Sequence, residues 1–336
     1  MTTLNSSLPW EVSVQDFPSM FPIQEQLKFL LRYAVLAPST KNTQPWRFSI
    51  GENTIDLFAD LTRWQPVADR GRRELYISVG CALENLIVAG EWFGFRHDVS
   101  YFPQPTNDEL AATVTFLPRD RPAKHPPGIP LATITARHTQ HGPYRDEPVT
   151  EDVCCRLLQC CGAPGLRADL TDDPATRSRV IELNLHADEM EFADPEFRKE
   201  LGYWVGQGVF GTPRLVSRLE GLLLSRVNLG RAVGKRNAAM LSSAPLIGLI
   251  SARTDDRTSQ VRTGQALERL WLQATRLGIA LQPMSQALEI PSLRAELARV
   301  IPDSGWIPEQ VFRMGYSMRP ARRHTPRRSA DEVLLG

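Results

Sequence analysis

The densest hydrogen-bonding chemistry in the chain lies in Ala37-Pro38-Ser39-Thr40-Lys41-Asn42-Thr43-Gln44-Pro45-Trp46-Arg47-Phe48. An apolar helical stripe stops at Pro38, a turn rich in donors and acceptors follows, and a strand begins after Pro45. Ser39 and Asn42 offer hydroxyl and amide groups to a heteroaromatic edge or a polyol, and backbone groups freed at the helix end add contacts. The same residues also satisfy one another in an ordinary proline-flanked turn, so their types alone leave both readings open. Four clustered thiols, Cys154, Cys155, Cys160 and Cys161, form two adjacent pairs without the CxxC spacing of a zinc knuckle. They read as small helix-core residues, and no metal is expected.

Two long periodic segments must position the turn. Residues 23–37 place Leu27, Leu30, Leu31, Ala34 and Val35 on one stripe, and residues 75–94 form a longer buried helix ending at Gly94. Between them, Trp46–Ile50 and residues 54–58 predict a hairpin turning at Gly51-Glu52-Asn53, with further strands at 99–102 and 112–117. A proline-rich spacer, residues 118–130, separates this unit from a second.

After the spacer the element order recurs. A helix is expected over 149–161, strands over 166–170 and 244–251, and a long apolar helix over 264–278. Gly80-Cys-Ala-Leu-Glu-Asn-Leu and Gly264-Gln-Ala-Leu-Glu-Arg-Leu agree at five of seven positions, at equivalent places in the two orders. This reads as an internal duplication. The second unit carries an excess segment, about 188–237, rich in aromatic residues and glycine, which reads as a lid or as peripheral packing helices.

At 336 residues with a formal charge of +1, the chain has no basic field for nucleic acid or an anionic membrane, so a small molecule is the expected partner. The N-terminus has no secretory pattern, and the apolar run 244–250 is too short to span a bilayer. Five cysteines without an export signal predict reduced thiols and a cytoplasmic location.

The string from Ala37 to Phe48 resembles the helix-end motif of the nitroreductase superfamily, in which a Pro-Ser-Ser/Thr-x-Asn turn touches FMN and Gln-Pro-Trp leads into a strand. The resemblance implies cofactor contacts at Pro38, Ser39, Thr40, Asn42 and Gln44. In that family the flavin lies between two subunits, and an Arg-x-Ser-x-Arg/Lys segment of the other subunit holds the phosphate. Here Arg137-His138-Thr139-Gln140-His141 resembles that segment. Arg137 would clamp the phosphate, Thr139 would donate a hydroxyl, and His141 stands where Arg or Lys is usual. By the same likeness Pro283, Met284, Ser285 and Gln286 would pass the flavin N5 edge, and Arg327 and Arg328 would add phosphate contacts near the C-terminus. One half keeps the ring-contact turn and the other the phosphate segment, the pattern of the Acg-like branch, whose fused halves share one flavin.

The implied fold class is α+β: tandem halves, 1–125 and 126–336, each a mainly antiparallel sheet packed with helices, forming an intrachain pseudo-dimer. The implied function is FMN-dependent hydride transfer from NAD(P)H to an electron-poor acceptor, without an obligatory acid or base. Two alternatives are FMN storage under a closed lid and a tailoring dehydrogenase or oxidase acting on a metabolite. The chain would be a monomer or a higher association of such pseudo-dimers.

Overall fold

A computed structural model describes residues 8–119, 128–227, 238, 240–300, 305–319 and 324–335. Its first half runs α1 (Ile23–Ala34), β1 (Trp46–Ile50), β2 (Thr54–Ala59), α2 (Arg73–Trp92), β3 (Phe95–Tyr101) and β4 (Leu110–Pro118). The second half continues with α3 (Ala132–Ala136), α4 (Glu151–Gln159), β5 (Leu166–Thr171), α5 (Pro174–Ala193), α6 (Pro195–Gly206), α7 (Arg214–Arg226) and β6 (Leu246–Ala252). It closes with α8 (Arg257–Arg276), β7 (Ala280–Pro283), α9 (Gln286–Glu289), α10 (Pro291–Ala298), β8 (Ile307–Gly315) and α11 (Ala330–Val333). The two four-stranded sheets are wholly antiparallel and have the same order, β1-β2-β4-β3 and β5-β6-β8-β7. Each also breaks register once in its second strand, at Leu57/Phe58 and at Ile250/Ser251. The α+β class and the duplication are therefore built into the topology.

The halves meet where α2 crosses α8. A Cβ on Gly80 would stand 2.0 Å from the Val261 carbonyl oxygen, and one on Gly264 would stand 2.0 Å from that of Ile77. The two glycines of the repeated heptad thus let the backbones touch. Residues after them cross over: Arg269 pairs with Glu84 at 2.6 Å, and Asn85, its amide oriented to satisfy both ends, donates to Glu268 at 3.0 Å. One continuous apolar core includes Leu30, Trp46 and Leu83 of the first half with Leu267, Trp271 and Phe312 of the second.

Several boundaries differ from expectation. α8 begins earlier than residue 264 because Asp256 caps it, accepting from the Ser259 N–H at 2.8 Å. β8 is buried at every position after Ile307, but Pro308, Glu309 and Gln310 interrupt the apolar run that would have marked it in the sequence. The excess segment starts at α5, before residue 188. The first half of that helix buries Val180, Ile181 and Leu183 in a second core with Met284, Leu288 and Leu293, so only α6 and α7 resemble a cover. Of the four clustered cysteines only Cys161 is buried, and Cys155 is exposed, because α4 turns a single stripe inward through Leu157. Most of the spacer, the 125/126 boundary and the end of the expected lid (228–237) lie outside the described residues.

Candidate functional site

The turn after α1 forms a 3-10 turn, Thr40–Asn42, with positive φ at Lys41 (50°), Asn42 (55°) and Gln44 (53°). Three non-glycine residues in the left-handed region within four positions carry strain that local contacts must hold. Ser39 Oγ accepts from the Gln44 N–H at 2.9 Å, and Thr40 Oγ1 donates to the buried Glu74 carboxylate at the start of α2. Gln44 Oε1 accepts from the Arg328 N–H at 2.7 Å.

Asn42 is buried, and its amide donates to the carbonyls of Val209 (2.6 Å) and Pro326 (3.0 Å) while accepting from Arg327 Nη1 at 2.7 Å. Arg137, at the end of α3, donates to the Leu36 carbonyl at 3.1 Å, and Arg327 reaches the same oxygen at 3.5 Å. Asn42, Arg137 and Arg327 come from distant parts of the chain yet gather around the end of α1. Arg137 is 2% exposed, lies over the Trp271 ring, and forms an ion pair with Glu268 at 3.2 Å.

The duplication explains why Glu268 is free to pair with Arg137. Its counterpart Glu84 is neutralised by Arg269 of α8, whereas the residue reaching Glu268 is the uncharged Asn85. Burial pushes the Glu268 carboxyl up to about 7 despite Arg137, and burial together with Arg137 lowers the Arg327 guanidinium to about 9. Two guanidiniums therefore face one carboxylate. Arg327 Nε is buried without a hydrogen-bond acceptor, and Arg137 Nε meets Glu268 Oε1 at 3.2 Å as an ion pair without an aligned hydrogen bond. That donor set suits an oxyanion with more than one charge, such as a phosphate ester.

Beside this cluster His324 is stacked between Trp10 (3.8 Å) and His138 (3.6 Å), and Arg327 lies over the Trp10 ring. Burial, then the charges of His138, Arg137 and Arg327, holds the His324 imidazole down at about 3. Between pH 6.5 and about 3 the unfolded chain then binds a proton that the folded chain refuses, so stability falls as pH falls through that window. His324→Phe keeps a ring in the stack and is expected to flatten this slope; urea midpoints measured across the window check it, and an unchanged slope would assign the acid sensitivity elsewhere.

The opposite side of the turn borders a cavity of about 830 Å³. Lys41 Nζ sits 4.5 Å from the Phe197 ring centre, and Thr40 reaches Glu74, the neighbour of Arg73; Phe197 and Arg73 both line the cavity. Met190, Leu288 and Ile290 give it apolar walls, and Glu191 and Glu289 add carboxyls that burial raises to about 8 and about 7. Arg73 is paired with Glu74 and Glu289, so its charge is already matched.

The remaining expected site residues lie as follows. Pro38 precedes the turn and is half-buried. Thr139 bridges to Leu281, and His141 meets Gln282 at 3.2 Å on an exposed edge. Pro283 pairs with Phe312, Met284 packs in the second core, and Ser285 Oγ accepts from Gln310 at 3.1 Å. Gln286 Oε1 is buried without a partner. Arg328 is occupied by the carbonyls of Gln44, Trp46 and Glu332 and by Asp60 at 3.6 Å, so it braces the turn. Trp10, Glu74, Glu268 and His324 were not expected in the site. Only Glu268 had a signal, as the glutamate shared by both heptads.

Asn42→Ala would strand Val209 O, while Pro326 O and Arg327 Nη1 keep each other and Thr325 Oγ1 as partners. A loss of about 1–3 kcal/mol is expected in urea denaturation, with faster proteolysis between α6 and α7; wild-type values would show that the amide bonds do not hold that segment.

No protein-family model matches the chain. It is 28% identical over 325 residues to a provisionally named NAD(P)H nitroreductase of Mycobacterium tuberculosis, spanning 94% of this chain and 92% of that protein. It is 27% identical over 328 residues to the provisionally named NAD(P)H nitroreductase acg of the same organism, spanning 94% and 97%. To the similarly named NAD(P)H nitroreductase PigM of a Serratia species it is 22% identical over 342 residues, covering 93% of each. Among solved structures, a nitroreductase with bound FMN from Bacteroides fragilis superposes with a TM-score of 0.41 at 18% identity, covering 61% of this chain and 97% of that one. Beside its repeated sheets and repeated heptad, the chain is similar over nearly its whole length to these proteins named as NAD(P)H nitroreductases.

Proposed function

We propose that the chain is an FMN-dependent oxidoreductase of the nitroreductase type, moving hydride from NAD(P)H to an electron-poor small molecule. The observation that carries this reading is the gathering of Asn42, Arg137 and Arg327, with two guanidiniums facing a single carboxylate. Arg137 and Arg327 would hold the phosphate, while Ser39, Thr40, Asn42 and Gln44 would orient the ring and its polyol chain. FMN, when bound, supplies the redox chemistry. The cavity on the far side of the turn, walled by Phe197, Leu288 and Ile290, would receive the acceptor and shield it from water. Its lining charges are largely paired, which favours an uncharged aromatic acceptor over a polyanion. His138, Thr139 and His141 would border the phosphate, and Pro283 to Gln286 the N5 edge.

A second reading, FMN storage with little turnover, draws support from how firmly α6 and its following loop are docked. Glu200 accepts from the backbone N–H groups of Val67 (3.0 Å) and Ala68 (2.9 Å), and Val209 O occupies the Asn42 amide. Anaerobic mixing of the flavin-loaded protein with NADH or NADPH separates the two. Prompt loss of the flavin's visible absorbance is expected for the reductase. Bleaching by dithionite alone would leave storage as the function.

A further inference from the structure

The α6–α7 hairpin is closed by its small residues. A Cβ on Gly202 would stand 2.4 Å from the Gly221 carbonyl oxygen, and one on Gly221 2.3 Å from that of Gly202, so the two backbones touch. Ser217 is buried on the same side of α7. With this narrow face turned inward, α7 presents its leucines outward: Leu215 is 77% exposed and Leu219 68%, with Val216, Leu222 and Leu223 exposed beside them. At about 100° per residue these five fall on one continuous stripe. This inverts the usual arrangement, in which the broad apolar face of a surface helix meets the core. Phe210 and Val227, exposed just before and after the helix, extend the apolar surface.

The charges beside the stripe have one sign in excess. Arg214, Arg218 and Arg226 are exposed and have no partner among the described residues, and Glu220 is the one acid on the helix. A second copy of the chain would bring the same three arginines against these, which disfavours self-association through this face. An anionic surface complements it.

We propose that α7 is a peripheral docking helix that lies along an anionic lipid surface, leucines in the acyl boundary and arginines among the headgroups. The near-neutral charge of the whole chain concealed this local basic face. No helix among the described residues is long and apolar enough to cross a membrane, so the contact is interfacial. The loop joining α6 to α7 carries Val209, whose carbonyl holds Asn42; docking therefore bears on the segment that covers the turn. The proposal does not depend on bound FMN.

Co-sedimentation of the full chain with phosphatidylglycerol–phosphatidylcholine vesicles, against phosphatidylcholine alone, tests it. Binding is expected to the anionic vesicles, to weaken with salt, and to vanish in Leu219→Glu/Leu222→Glu. Arg214→Gln/Arg218→Gln should weaken it roughly thirtyfold, at about fivefold per arginine. All four side chains are exposed, and unchanged circular dichroism checks that the variants fold. Failure to bind anionic vesicles, or equal binding by both variants, overturns the proposal. So does a concentration-dependent dimer that Leu219→Glu dissociates, which would assign the stripe to a second copy.

Discussion

Arg137→Ala is expected to loosen FMN by about 1.5–3 kcal/mol, the cost of a lost hydrogen bond to a charged group. The side chain is buried between Trp271 and Glu268, with its Nε 3.2 Å from the Glu268 carboxylate. Part of the effect falls on the fold itself, because removing the guanidinium leaves the Glu268 carboxyl buried without its nearest counter-charge. Arg137→Lys separates the two contributions. It keeps a positive charge for Glu268 but loses the planar fork, so stability should recover more than FMN affinity does. Calorimetric titration of FMN into each variant, beside urea denaturation of the apo proteins, reads both. Unchanged affinity in Arg137→Ala would remove that residue from the cofactor site.

The second large effect is expected at the crossing of α2 and α8. Gly80→Ala should destabilise the chain by about 3 kcal/mol, the upper end of overpacking costs. The new methyl would meet the Val261 carbonyl at 2.0 Å, and because that atom is backbone, no change of rotamer relieves it. Gly71→Ala is the matched control, since its Cβ meets nothing within 4 Å. A shift in the urea midpoint at Gly80 as small as that at Gly71 would mean that the two halves do not pack through their repeated heptads. The same crossing sets Glu84 and Glu268 against opposite partners, so its loss should also weaken FMN binding.

The parts of this arrangement that were legible in the sequence were those carried by periodicity or by a contiguous string. The repeated heptad announced the duplication; that its glycines also mark the helix crossing emerged only from the structure, where close contact needs small residues at one fixed position. The turn from Pro38 to Gln44 was legible as a cluster of donors ending a helix. Its strain was not, since nothing in Lys41, Asn42 or Gln44 dictates positive φ in advance. Glu268 was visible as a shared glutamate, but its pairing with Arg137 follows from the absence of an arginine at position 85, which only the crossing geometry makes meaningful. The stack of Trp10, His324 and His138 joins residues near both chain ends, and no local pattern encodes such a contact. α5 was not read from the sequence, and the expected excess segment began inside it, because its apolar residues serve the second core early and border the cavity later, so no single stripe runs along it.

The relation between the halves gives a physical reason for the proposed single site in a duplicated fold. Each half supplies a sheet, a long helix and a buried glutamate. Arg269 closes one of the two equivalent positions by neutralising Glu84, and Asn85 leaves the other dependent on Arg137. The turn after α1, proposed to contact the flavin ring, lies beside that second position through the Leu36 carbonyl and Asn42. The counterpart after α4, Cys160 to Leu166, carries neither the Asn nor the Gln-Pro-Trp string.

Titration of FMN into the apo protein, followed by flavin fluorescence, measures this most directly. Saturation at a single FMN per chain, with weaker binding in both Asn42→Ala and Arg137→Ala, is the predicted result. Two equivalents per chain, or no binding to a protein that is folded by circular dichroism, would contradict it.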